Sequence, residues 1–171
     1  MKTPHVTRGL TLGKYAPFHA GHQLVIETAL REVDELIVLI YDSPHVTDIP
    51  LGIRSSWIRH IYPMVKVVEA WNGPQEVGYT AAIKKRHEDY VFQLLDGVRI
   101  THFFSSEPYG EHMSRALGAI NRVVDLKRKH RPISATQIRE NLELNRRFLH
   151  PMVFEELKTW QSLEASQSGD K

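Results

Sequence analysis

The stretch GKYAPFHAGH, residues 13–22, lies between two segments of different period. Before it, RGLTLG (8–13) is a short β-type run that ends on glycine. After it, HQLVIETALREV (22–33) places Leu24, Val25, Thr28, Ala29 and Val33 at the spacing of one helix face. DELIVLIYD (34–42) then forms an almost unbroken apolar run, the kind found in parallel strands covered on both faces. The quoted stretch is therefore a strand-to-helix junction.

The same alternation continues outward. A polar, proline-bearing loop (43–52) precedes a helix at 53–63 that stops at Pro63. VKVVEAW (65–71) reads as a third strand, NGPQEVG (72–78) as a loop and 79–95 as a helix. ITHFFSSE (100–107) is a fourth strand, EHMSRALG (111–118) a short helix and INRVVDL (120–126) a fifth strand. SATQIRENLEL (134–144) starts another helix, and PMVFEELKTWQSL (151–163) forms the last, with proline in its first turn. The pattern predicts a single-domain, Rossmann-like α/β fold over 1–163, an open parallel five-stranded sheet with helices on both faces. Residues 164–171 read as a frayed or disordered tail. In such sheets ligands bind beyond the carboxyl ends of the strands, where both GKYAPFHAGH and SSEPYG (105–110) fall.

Bulk composition narrows the function classes. The chain has 171 residues, 42% apolar and 25% charged, which suits one globular domain. A net charge of +2 argues for neither a nucleic-acid binder nor a membrane-surface protein. With ten histidines, that charge rises below about pH 6.5. The absence of cysteine removes disulfides, thiolate metal sites and cysteine nucleophiles, and fits a reducing cytoplasm. No run approaches the roughly 20 apolar residues of a membrane span, and the N-terminus has no signal-peptide core. The reading is a soluble, cytoplasmic protein whose oligomeric state stays open, with homo-oligomerisation one possibility.

The quoted stretch suits phosphate. Gly13 allows a sharp turn out of the strand, Pro17 stiffens the loop, and Gly21 allows a close backbone approach to a ligand. The helix that follows presents main-chain N–H groups to anions. The helix dipole contributes only about 0.3–1 kcal/mol, so side chains must add more: Lys14, His19 and His22 are the donors available. Two histidines three apart could also ligate zinc or cap the helix, but no third ligand of recognisable spacing follows.

A second stretch, ISATQIR (133–139), carries a capping-box pattern at Ser134 and Gln137, and with it a second anion-binding helix end. Arg139 lies further into that helix, and Lys127 and Arg128 of the basic turn KRKHR (127–131) could reach the same phosphates. The basic turn has no aromatic lining of the kind a nucleic-acid face uses.

Together the two stretches resemble the signatures of the HIGH-type nucleotidyltransferase superfamily, GxFxPxHxGH and ISxTxxR. Tyr15 stands for the usual Phe, while Pro17, His19, Gly21 and His22 match. The segment HRPISATQIRENLELNRRFLHPMVFEEL is similar to the adenylyltransferase part of the bacterial bifunctional nicotinamide-nucleotide adenylyltransferase/ribosylnicotinamide kinase family. FFSSEPYGE, IPLGIR and VGYTAAIKK are similar too, and the likeness covers most of residues 8–157. The chain lacks a GxxxxGK[ST] string, so it is expected not to phosphorylate nicotinamide riboside.

The resemblance implies transfer of AMP from ATP to nicotinamide mononucleotide, giving NAD and pyrophosphate. His22 and His19 would contact the reacting phosphates, and Lys14 and Arg139 would neutralise the polyphosphate. Gly13, Tyr15, Gly21, Ser106, Glu107, Ser134, Thr136 and Lys127 would line the nucleotide. Arg54, Trp71, Asn72 and Tyr79 would meet the acceptor, although the family more often carries Trp where Tyr79 stands. Magnesium would arrive with ATP, with no dedicated protein metal site. Two alternatives stay open: adenylyl or cytidylyl transfer to another phosphorylated acceptor, and a nucleotide-sensing module without turnover. The expected partners are ATP and a phosphorylated small molecule, with neither nucleic acid nor membrane.

Overall fold

The computed structural model describes residues 5–107, 110–125 and 127–169. Pro108 and Tyr109 of SSEPYG, Leu126 at the end of the expected fifth strand, and Asp170 and Lys171 of the expected tail lie outside the described residues.

Five parallel strands form one sheet: β1 (Arg8–Gly13), β2 (Glu35–Tyr41), β3 (Lys66–Ala70), β4 (His102–Ser105) and β5 (Ile120–Val123). Their order is β3-β2-β1-β4-β5. The chain winds outward from β1 in one direction, then crosses over and continues from β4 in the other. β1 and β4 are therefore neighbours whose outgoing loops diverge, which opens a crevice at their carboxyl ends.

Among the described residues six α-helices complete the fold: α1 (Ala20–Glu32), α2 (Leu51–Ile61), α3 (Ala81–Leu95), α4 (Gly110–Leu117), α5 (Ala135–Glu140) and α6 (Pro151–Ser168). The apolar run in β2 is buried on both faces because it supplies two cores. Leu36, Val38 and Ile40 join Ile26, Trp57, Ile58, Ile138 and Phe154 of α1, α2, α5 and α6. Ile37 and Leu39 join Val91, Leu95 and Met113 of α3 and α4. Adjacent Phe103 and Phe104 of β4 divide between the same two cores. Burying each such side chain contributes about 1.5–3 kcal/mol before the entropy of ordering it. The expected five-stranded α/β architecture is thus present, with helices on both faces.

Two boundaries differ from expectation. The helix expected over 134–144 stops at Glu140. Asn145 Nδ2 donates to the carbonyls of Gln137 and Asn141, and Asn141 Oδ1 accepts from Leu144 N–H, so side chains satisfy the groups a further turn would need. Residues 164–168, read as tail, instead continue α6, with Ser162, Ser166 and Ser168 hydroxyls donating to carbonyls of the preceding turn. No helix among the described residues is long and apolar enough to cross a membrane.

Candidate active site

A cavity of about 530 Å³ opens at the carboxyl ends of the strands, beside β1 and β4. That volume suits a nucleotide-sized ligand. It is lined from both signature stretches: Gly13, Lys14, Tyr15, His19, Gly21 and His22 from the first, and Ser134, Thr136 and Arg139 from the second.

The histidine pair is built by its own backbone. His19 is the N-cap of α1, and its Nδ1 accepts from Gly21 N–H at 3.0 Å. His22 Nδ1 accepts from His19 N–H at 3.2 Å. Both Nδ1 atoms are acceptors, so each neutral ring carries its proton on Nε2. The rings stack with centroids 3.7 Å apart. Tyr15 meets His22 edge-on at 4.7 Å, and Phe18 stacks on its other side at 5.9 Å.

Burial, and secondarily the charge of Arg128, lowers the His19 pKa from 6.5 to about 4. Burial, the neighbouring His19 and Arg128 lower that of His22 well below 6.5. Near neutral pH the site thus holds two neutral donors, and its fixed positive charge comes from Lys14, Arg128, Arg131 and Arg139.

Both glycines also make room for side chains of the site. A Cβ on Gly13 would lie 2.8 Å from the Tyr15 ring, and one on Gly21 would lie 2.8 Å from His19 Cε1. Gly13 leaves room for Tyr15, which is itself buried as a support for His22, and Gly21 leaves room for His19. Neither glycine has a positive φ.

Four expected site residues need correction. Arg54 is 1% exposed and does not reach the cavity. Its Nε donates to Ile49 O at 2.9 Å, one terminal nitrogen to Lys14 O at 2.7 Å and Tyr41 O at 2.8 Å, and the other to Asp42 O at 2.6 Å. Four of its five N–H donors are committed to backbone, so it clamps loops instead of binding phosphate. Trp71 is 55% exposed and outside the cavity wall, with its indole donating to Glu69. Asn72 is likewise outside, its N–H held by Asp42 Oδ2 at 3.0 Å. The loop beyond them, 73–79, forms the wall instead, with Tyr79 exposed at its rim. Lys127 is exposed and outside the wall, whereas Arg128 and Arg131 line it.

Ser106 and Glu107 line the cavity as expected, and Glu107 O also accepts from Gly110 N–H at the start of α4. Residues without a motif join them: Thr11, Asp42, Ser43, His45, His87, His112 and Asp125. His87 and His112 belong to no motif in the sequence. Both reach the cavity, His87 near Glu76 O at 2.9 Å and His112 with its Nδ1 3.0 Å from Glu88 Oε1. His112 lies in the first turn of a helix that follows a strand, which was its only sequence signal.

The lining carboxylates all have partners. Asp42 accepts from Ser43 and Asn72 N–H, Glu76 pairs with Arg86, and Glu107 pairs with Arg128 at 3.6 Å. Asp125 accepts from the N–H groups of Lys129, His130 and Arg131 at 2.8–3.1 Å. Burial pushes its carboxyl up, and these three donations outweigh that and hold it below the usual range. Among the described residues no three His, Cys, Asp or Glu side chains gather as a metal-binding group. Tyr15, Ser43, Asp125 and Arg128 all have positive φ and all line the cavity. Sparsely populated backbone of this kind persists where surrounding bonds over-determine it, as they do here.

The model of the cytidylyltransferase-like family matches residues 10–141. The chain belongs to that family. Over 33 residues it is 54% identical to the nicotinamide-nucleotide adenylyltransferase of Halobacterium salinarum, a match covering 19% of each protein. It is 24% identical over 169 residues to a Thermotoga maritima protein named "Probable nicotinate-nucleotide adenylyltransferase", covering 81% of this chain and 82% of that one. Among solved structures, NadR in complex with NAD and AMP-PNP superposes with a TM-score of 0.61 at 22% identity. That superposition covers 84% of this chain and 44% of NadR, so it is a likeness of fold. This cytidylyltransferase-like chain therefore spans less than half of NadR, and its short match spans about a fifth of the Halobacterium relative.

Proposed function

We propose that this chain transfers AMP from ATP to a pyridine mononucleotide, with nicotinamide mononucleotide as the preferred acceptor, releasing pyrophosphate. One observation carries the reading: two neutral imidazoles, whose Nε2–H donors have no partner among the described residues, line the same cavity as Lys14, Arg128 and Arg139. The short, close match to a nicotinamide-nucleotide adenylyltransferase supports the choice of acceptor.

In this mechanism an acceptor phosphate oxygen attacks the α-phosphorus of ATP. The new P–O bond forms as the bond to the β-phosphate oxygen breaks, and the electron pair leaves with pyrophosphate. No covalent protein intermediate is required, so the chain contributes positioning and charge stabilisation. His22 Nε2–H donates to the α-phosphate oxygens, with His19 beside it on the leaving side. Lys14, Arg128 and Arg139 neutralise the polyphosphate. A hard divalent cation such as magnesium would come with the triphosphate and would supply further charge neutralisation there, while the protein's own contribution is Lys14, Arg128 and Arg139. The chain's cavity carboxylates are already engaged by N–H groups and arginines, which suits a metal carried by the substrate.

The long alignment with the Thermotoga protein favours a second acceptor, nicotinate mononucleotide. Pyrophosphate release from ATP or CTP, measured with nicotinamide mononucleotide, nicotinate mononucleotide and other phosphorylated acceptors, tests both. Pyrophosphate with ATP and either pyridine nucleotide supports the class, and the ratio of kcat/KM values selects the acceptor. Turnover only with CTP or a non-pyridine acceptor, or nucleotide binding without pyrophosphate, overturns it.

A further inference from the structure

Arg128 combines a pinned backbone with a partly uncommitted guanidinium. Its φ is +53°, its N–H donates to Asp125 O at 2.8 Å, and the next three N–H groups are gathered by the Asp125 carboxylate. The main chain of this loop therefore has little freedom to move. One terminal nitrogen, Nη1, donates to Ile133 O, directly before the Ser134 cap of α5. The other, Nη2, lies 3.6 Å from Glu107 Oε1. That is an ion pair beyond good hydrogen-bond length, between side chains 41% and 44% exposed.

Glu107 follows β4 and Arg128 follows β5, two adjacent parallel strands. The pair thus joins two loops across the wall of the nucleotide cavity. A carboxylate next to a triphosphate site is unfavourable unless a cation screens it, and an exposed ion pair is weak enough to exchange. A triphosphate offers the same guanidinium a more highly charged, bidentate partner.

We propose that Glu107 and Arg128 form a latch over the triphosphate subsite: Arg128 Nη2 leaves Glu107 for the phosphates when nucleotide binds, while Nη1 stays on Ile133 O. Arg128 is then a phosphate-contacting residue. Glu107 is its resting counter-ion and makes no contact with the nucleotide. The charge of Arg128 is already felt at both imidazoles, which places it close to the expected site of phosphorus chemistry. This inference rests on the triphosphate-binding part of the proposed function, not on the identity of the acceptor.

A double-mutant cycle read by calorimetry tests it, using magnesium–ATP and inorganic tripolyphosphate with wild type, Arg128→Gln, Glu107→Gln and the double variant. Thermal melts establish that each variant is folded, and Arg128→Lys is a milder companion should Arg128→Gln fail to fold. Loss of Arg128 is expected to weaken tripolyphosphate binding by about tenfold or more. Glu107→Gln is expected to tighten it by roughly two- to fivefold, and only while Arg128 is present. The double variant then binds like Arg128→Gln. Arg128→Lys binds more weakly than wild type, because one ammonium cannot span Ile133 O and phosphate. The latch is overturned if Arg128→Gln binds tripolyphosphate as wild type does. It is equally overturned if Glu107→Gln weakens binding by the same factor in both backgrounds, since Glu107 would then touch nucleotide itself. Failure of wild type to bind either ligand removes both this inference and the proposed function. The coupling without adenylyl transfer to any pyridine acceptor leaves the latch standing and removes only the acceptor reading.

Discussion

The guanidinium of Arg139 donates to the carbonyl of Ala16 at 2.6 Å across 123 positions of sequence. Its second terminal nitrogen reaches Thr136 Oγ1 at 3.3 Å. One side chain from the late signature thus fixes the loop that carries the early one, and still lines the cavity. Arg139→Ala should therefore reduce stability and activity together. A Tm fall of roughly 3–12 °C is the size expected for losing one charge-assisted hydrogen bond in a domain of this length. Arg139→Lys keeps the charge but not the fork, so it should recover more kcat than Tm. Melting curves and steady-state kinetics on the two variants check this. Equal recovery of both by lysine would mean that the link to Ala16 is incidental.

The Arg54 clamp makes a contrasting prediction. Its removal leaves main-chain carbonyls of Lys14, Tyr41, Asp42 and Ile49 without their buried donor. Each unsatisfied buried group costs about 1–3 kcal/mol, so Arg54→Ala should melt far below wild type or fail to accumulate. Arg54→Lys, with three donors on one atom, cannot serve four divergent acceptors and should recover little. At a temperature where Arg54→Lys is folded, KM values for ATP and acceptor should stay within about twofold of wild type, the mark of a residue that binds no substrate. A large rise in KM at unchanged Tm would restore the phosphate-contact role read from sequence.

What the sequence made legible, and what it did not, follows from the range of the interactions. The two-sided burial of β2 is written locally, in an apolar run that cannot face water on either side. The capping box at Ser134 is equally local and was read correctly as a helix start. Arg54 was misread because its partners lie 5 to 40 positions away and are backbone atoms, which leave no trace in side-chain pattern. Lys127 is expected among the nucleotide contacts, whereas Arg128, with a left-handed backbone, is the one that lines the cavity, and nothing in KRKHR announces that conformation. The early stop of α5 depends on Asn141 and Asn145 outcompeting the next turn, a balance that apolar periodicity does not see.

Gly21 links backbone geometry to chemistry. A methyl group there would fall 2.8 Å from His19 Cε1 and 3.1 Å from its Nδ1, so the ring must tilt away from its cap. The position is helical and its φ is not positive, so the stability cost of Gly21→Ala should be limited to the weakened His19 cap, about 0.5–2 kcal/mol. Displacement of the ring by a fraction of an ångström to an ångström should lower kcat by up to about 10²-fold. Kinetics and a thermal melt on this one variant separate the two effects. Full activity would mean that His19 can shift without consequence, and its assignment beside the leaving group would fail.

The imidazoles should also mark the pH dependence of stability. Above pH 6.5 His19 is neutral folded and unfolded, and contributes no slope. Between pH 6.5 and about 4 the unfolded chain binds a proton that the native ring refuses, because burial and then Arg128 oppose the charge. Stability must therefore fall as pH drops through that window, by about 3 kcal/mol in total for His19. His22, shifted the same way, adds to the loss. His19→Gln removes one titrating ring and should flatten the slope between pH 6.5 and 4, even if it is less stable at pH 8. Activity should behave differently. Both rings already donate through Nε2 when neutral, so kcat should show no acid limb from them until well below pH 6. Denaturant melts across pH 4–8 and an NMR titration of the ring Cε1–H signals supply the measurements. An imidazole titrating near 6.5, with kcat rising as it protonates, would show that the working donor is imidazolium and that the neutral-pair mechanism is wrong.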